Sequence, residues 1–146
     1  MRFSLFCLLF VIASSALAEQ KMGLLDKSLF IQDWDGAPQF VKKIEQEKHD
    51  VCTYLSGAEV RFKDTPYVIR RIVLALAHTD CAQKKSIVEK YISTKEVVLL
   101  STVIDTAATL QMSERKKIQI KIQTIKNKEK DPLVQEAATR FMASVK

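Results

Sequence analysis

From residue 37 onward, apolar residues return every three or four positions, the spacing that lines one face of an α-helix. Val41, Ile44, Val51 and Leu55 follow Pro38; Val68, Ile72 and Leu76 follow Pro66; Ile87, Val88, Tyr91 and Ile92 follow Gln83. Leu99, Val103 and Ala107 continue the pattern, and Val134, Ala138, Phe141 and Met142 end it. Helix-start chemistry precedes these runs. Ala37-Pro38, Thr65-Pro66 and Asp131-Pro132 use all three prolines where a first turn tolerates a missing N–H, with Thr65 and Asp131 as N-caps. Asp80 with Gln83 and Ser93 with Glu96 have capping-box spacing, and Ser113 is placed to cap the segment after it. The pattern predicts one long helix after Pro38 and a shorter amphipathic piece around Leu25, Leu29 and Trp34. Residues 57–64, "GAEVRFKD", read as an irregular segment with Val60 and Phe62 turned inward.

One stretch, "ERKKIQIKIQTIKNKEKD" at 114–131, fits two periods. Ile118, Ile120 and Ile122 alternate like a half-buried strand, whereas Ile118, Ile122 and Ile125 share a helical face. No partner strand is visible in the chain, and a lone strand leaves its backbone groups unbonded, so the helix is the reading. It sets Lys117, Lys121 and Lys128 as a stripe along another side and leaves Ile120 on the polar face. The scarcity of turn residues, three glycines and three prolines, agrees with helices throughout. The expected fold is all-α, with six or seven helices in a small right-handed bundle or a short α-solenoid.

Three of the predicted helices align without gaps: "PYVIRRIVLALA" from Pro66, "VVLLSTVIDTAA" from Val97 and "PLVQEAATRFMA" from Pro132. Val68, Leu99 and Val134 match, then Ile72, Val103 and Ala138, then Leu76, Ala107 and Met142. A second helix lies between each pair, as in stacked helical repeats. Residues 65–145 thus resemble the HEAT-like helical repeat family, particularly its short-period members. Two helix pairs and a half repeat are visible, the middle unit lacks the early proline, and the helix after Pro38 fits no repeat. The resemblance implies a binding scaffold.

The first eighteen residues, "MRFSLFCLLFVIASSALA", read as a secretory signal: Arg2, an apolar core over 3–12, and the small residues Ala16-Leu17-Ala18 at the cut. The core is shorter than the roughly 20 residues a spanning helix needs. The expectation is a secreted or periplasmic protein beginning near Glu19, with residues 19–146 forming one domain. Of 23 basic residues, loss of Arg2 leaves 22 against 17 acidic ones, a charge of +5. Residues 114–131 alone hold seven basic and three acidic residues, so the basicity is local.

Loss of Cys7 with the signal leaves Cys52 and Cys81, and an even pair in an oxidising compartment is most simply a disulfide. "HDVC" and "HTDC" also place His49 with Cys52 and His78 with Cys81 at one spacing, a set that suits zinc if the thiols stay reduced. No nucleophile elbow, Gly-rich phosphate loop or HExxH motif occurs, and a disulfide-bound cysteine supplies no thiolate. Asp33 and Asp35 around Trp34 read as a turn rather than as paired carboxylates. The expected function is therefore non-catalytic binding of another protein, with no cofactor, through a basic stripe of Arg115, Lys116, Lys117, Lys121 and Lys128. Alternatives are an acidic polymer or anionic membrane surface at the same stripe, and a metal at His49, Cys52, His78 and Cys81. Nucleic acid is disfavoured because no aromatic side chains interleave the cations.

Overall fold

Why these residues form these helices is clearest at the helix ends. The computed structural model describes residues 23–146 apart from Asp33, and the signal-sequence reading of residues 1–18 lies outside them. Among the described residues there are eight helices and no strand: α1 (Leu24–Ser28), α2 (Ala37–Gln46), α3 (Val51–Arg61), α4 (Pro66–Ala77), α5 (Lys84–Tyr91), α6 (Val97–Ala107), α7 (Met112–Lys128) and α8 (Pro132–Ser144). None is long and apolar enough to cross a membrane. Helix α1 belongs to a unit ending at Trp34, in which Leu25 and Leu29 are buried and Ser28 Oγ donates to Leu24 O at 3.0 Å. The other seven helices form a second unit from Asp35.

In that second unit α2 packs on α4, α4 on α6, and α6 on α8, so every other helix joins one row. Helices α3, α5 and α7 connect its members, each packing on the row helix that follows it. The three row helices α4, α6 and α8 are the segments whose apolar residues align in the sequence. Val68, Leu99 and Val134 are all buried, as are Ile72, Val103 and Ala138. Polar links between neighbours keep the same step. Arg70 Nε donates to Thr102 Oγ1 at 3.2 Å, Thr106 Oγ1 donates to Val73 O at 3.3 Å, and Arg140 Nη2 meets Asp105 Oδ2 at 2.7 Å. Residues 70 and 73 meet 102 and 106 in the same order, so α4 and α6 run parallel.

The expected long helix after Pro38 is two helices. Lys48 adopts φ +60°, His49 N–H donates to Ile44 O at 3.2 Å, and Lys48 N–H donates to Glu45 O at 2.9 Å. This is a Schellman ending, with lysine where glycine usually sits. Asp50 then starts α3 by accepting from Thr53 N–H at 2.7 Å. Phe40, unremarked in the periodicity, is buried beside Ile44. Most of the segment expected to be irregular, Gly57 to Arg61, is the last part of α3, with Ala58 and Glu59 inward and Val60 66% exposed. A glycine near a helix end resembles a turn; here Arg61 Nη1 lies over it, 3.0 Å from where a Cβ would be. Three caps also differ. Gln83 rather than Asp80 precedes α5, Glu96 rather than Ser93 caps α6 through Val98 N–H, and Gln111 rather than Ser113 precedes α7.

Helix α3 is tied to α5 at both ends. Cys52, in the first turn of α3, is disulfide-bonded to Cys81, in the turn leading to α5. The residues are 29 apart, and a closed loop of that size stabilises by roughly 3.5 kcal/mol in the chain-entropy model. At the other end, Glu59 is 6% exposed and accepts from Lys90 Nζ at 2.6 Å and from the Tyr91 hydroxyl. A carboxylate buried without such donors is strongly unfavourable. Burial, followed by the hydrogen bond and negative charge of Glu59, pushes the Tyr91 phenol above its ordinary range.

Two outcomes follow from these ends. Lys48→Gly removes the left-handed penalty on a side chain and raises stability by about 1 kcal/mol in urea unfolding. Tyr91 favours its protonated form in the folded state, so its contribution is complete below the unfolded phenol value of about 10 and is lost as pH rises beyond it. Tyr91→Phe costs about 1 kcal/mol at neutral pH and flattens the alkaline fall in urea midpoint relative to the native chain.

Candidate functional site

Helix α7 carries the basic stripe, and its orientation follows from three isoleucines. Ile118 and Ile122 are buried and Ile125 is half-buried, while Ile120 is 80% exposed. Glu114 accepts from Gln111 N–H at 3.3 Å, which fixes the start of the helix. With that face turned inward against α8, Lys116, Lys117, Lys121 and Lys128 stand in solvent. Arg115 does not join them. It is half-buried, and its Nη1 donates to Ser144 O at 2.5 Å. A cation on the last carbonyls of a helix satisfies an orphan acceptor and suits the negative end of the helix dipole. Arg115 therefore holds the end of α8.

Lys121 and Lys128 face a groove of about 630 Å³. Its floor is apolar: Ile92 from the end of α5, Val97 and Leu100 from the first turns of α6, and Ile125 from α7. Its rim carries Lys95, Lys121 and Lys128, with hydroxyls from Ser93, Thr94 and Thr124. Glu129 is the one acid in the lining. Glu96 lies beside this rim, but its carboxylate is engaged with the Val98 and Leu99 N–H groups at the start of α6. Three ammonium groups around an apolar floor make an amphipathic, anion-favouring surface of the size ligand sites have. Lys117 lies one turn from Lys121 outside the lining, and Lys116 is also outside it. Lys95 was not foreseen, since nothing in the sequence sets the α5–α6 turn beside α7.

The twin H-x-x-C pairs are arranged differently from a chelate. Cys52 and Cys81 are bonded to each other, so neither offers a thiolate. His49 is exposed, its ring centre 6.1 Å from that of Tyr54, and His78 is exposed at the end of α4. Among the described residues no three His, Cys, Asp or Glu side chains converge as a metal site. Of the "QDWDG" group, Asp33 lies outside the described residues and Asp35 is exposed. Gly36 has φ +101° at the start of α2, a turn conformation that favours glycine.

The two kinds of cation separate by mutation. Arg115→Ala costs about 1–3 kcal/mol, because it strips a partly buried carbonyl of its donor. Lys121→Ala and Lys128→Ala each stay within about 0.5 kcal/mol of the native chain. Chemical unfolding of the three variants checks this.

Comparison of the chain with protein-family models, curated proteins and solved structures finds no match.

Proposed function

We propose that this chain is an exported, non-catalytic helical module that binds another protein, taking an acidic segment with apolar anchors into the groove between the α5–α6 turn and α7. The observation that carries the reading is a groove lined by apolar Ile92, Leu100 and Ile125 together with Lys95, Lys121 and Lys128. Exposed ion pairs contribute at most about 1 kcal/mol each, whereas fully burying one aliphatic side chain contributes about 1.5–3 kcal/mol. The apolar anchors thus supply most of the affinity, and the lysines orient the partner and speed encounter. The exposed Ile120 on the same helix extends the apolar contact available to a protein.

Two further features support the reading. The Cys52–Cys81 disulfide suits an oxidising compartment, in keeping with the signal-like residues 1–18. The resemblance of residues 65–145 to short-period HEAT-like repeats agrees with a scaffold whose exposed faces bind. Binding of an acidic polymer or anionic membrane is the competing reading, favoured by Lys116 and Lys117 lying outside the groove yet exposed.

A fluorescent peptide with two leucines one helical turn apart, flanked by glutamates, distinguishes the two readings. Groove binding is weakened about tenfold or more by Lys121→Glu with Lys128→Glu, little affected by Lys116→Glu with Lys117→Glu, and only modestly salt-dependent. Equal losses from both pairs, with affinity falling steeply in log–log salt plots, contradict it and favour the polyanion.

A further inference from the structure

A second cavity, of about 180 Å³, lies at the other end of α5 from the groove. The turn Asp80–Ala82 and the first residues of α5 form one wall, and Thr109 to Gln111 with Glu114 of α7 form the other. Lys84 lines it and is only 6% exposed. Among the described residues its Nζ makes one hydrogen bond, 3.4 Å to Thr109 Oγ1, and no carboxylate pairs with it. An ammonium has three donors, so two lack a partner among the described residues beside the cavity that Lys84 lines, a costly arrangement for a buried charge. Burial pulls the Lys84 amine below its ordinary value, while Asp80 and Glu114 act through space in the opposite direction.

The surroundings narrow what satisfies those donors. The N-terminal ends of α5 and α7 both border the cavity, and each carries partial positive charge. Gln83, which precedes α5, gives it no side-chain cap. An anionic group is favoured at depth. Lys85 is already paired with Glu89 at 2.6 Å, so it adds little. Asp80 is exposed and Glu114 half-buried, placing two carboxylates nearer the mouth. A dianion such as phosphate meets their repulsion, and a simple cation meets Lys84. A small molecule with both charges satisfies each group.

We propose that this cavity binds a small zwitterionic carboxylate of the amino-acid class, its carboxylate on Lys84 Nζ and its ammonium towards Asp80 and Glu114. The disulfide holds the Cys81 wall in place, so the oxidised full chain is the form that binds.

Titration of the ¹⁵N-labelled oxidised chain with alanine, acetate, methylammonium and phosphate tests this. Alanine shifts the amides of residues 80–85 and 109–114 and leaves residues 92–95 unchanged. Acetate binds the same residues about tenfold more weakly, because it lacks the charge-assisted contact to the acids. Lys84→Met abolishes the shifts, and Glu114→Gln brings alanine down to the level of acetate. Since Glu114 is half-buried, that variant decides the matter should Lys84→Met fail to fold. The proposal is overturned by an absence of shifts with alanine, by shifts that survive Lys84→Met, or by phosphate binding more tightly than alanine.

Discussion

Helix α6 buries most of its circumference, leaving the side of Val98, Ser101 and Asp105 less covered, and the rest of the second unit is arranged around that fact. Leu99, Leu100, Val103, Ile104 and Ala107 are buried together with the hydroxyl residues Thr102 and Thr106. A helix with so wide an apolar face has to be covered by several others. Here α4 and α8 cover two flanks and α5 another. The two threonines are tolerated because they are satisfied. Thr102 Oγ1 donates to Val98 O at 2.8 Å while accepting from Arg70, and Thr106 Oγ1 reaches Val73 O. These bonds also set the register of α4 against α6, which apolar packing alone leaves loosely specified. The Arg140–Asp105 pair marks the corresponding position between α8 and α6, although both groups are substantially exposed and contribute little energy.

The connecting helices are held unequally, and the two candidate sites follow from that. Helix α3 is joined to α5 by the disulfide at one end and by Glu59 at the other. Helix α7 buries only Ile118 and Ile122 fully, and it leans on α8. Between a firmly tied α5 and a lightly anchored α7 the wall of the domain is incomplete. The groove opens at the end of α5 near Ile92, and the smaller cavity opens at its start near Lys84. Fewer buried contacts mean a lower cost of local opening, a property that suits a surface adapting to a partner.

Much of this was legible from periodicity, because the row helices bury regular faces. Val68, Ile72, Val103 and Val134 announced α4, α6 and α8, and their gapless alignment corresponds to helices that pack in succession. The break between α2 and α3 was hidden because lysine, not glycine, occupies the left-handed position at residue 48. Gly57 misled in the opposite direction by sitting inside a helix. The basic stripe was visible as composition, yet its parts differ in role. Arg115 caps α8, Lys121 and Lys128 border the groove, and Lys95 comes from a turn with no local signal. Glu59 and Lys84 were illegible for a related reason: a charged residue reads as exposed until tertiary neighbours enclose it.

The most direct test of this arrangement is native-state hydrogen exchange resolved by residue. If α6 is the enclosed helix on which the unit depends, its amides exchange only through global unfolding, together with those of α4. Those of α7 beyond Ile118 exchange earlier, through a smaller opening. Protection of α7 equal to that of α6, or exchange of α6 ahead of α7, contradicts the central claim that a rigid row supports a yielding wall at α7.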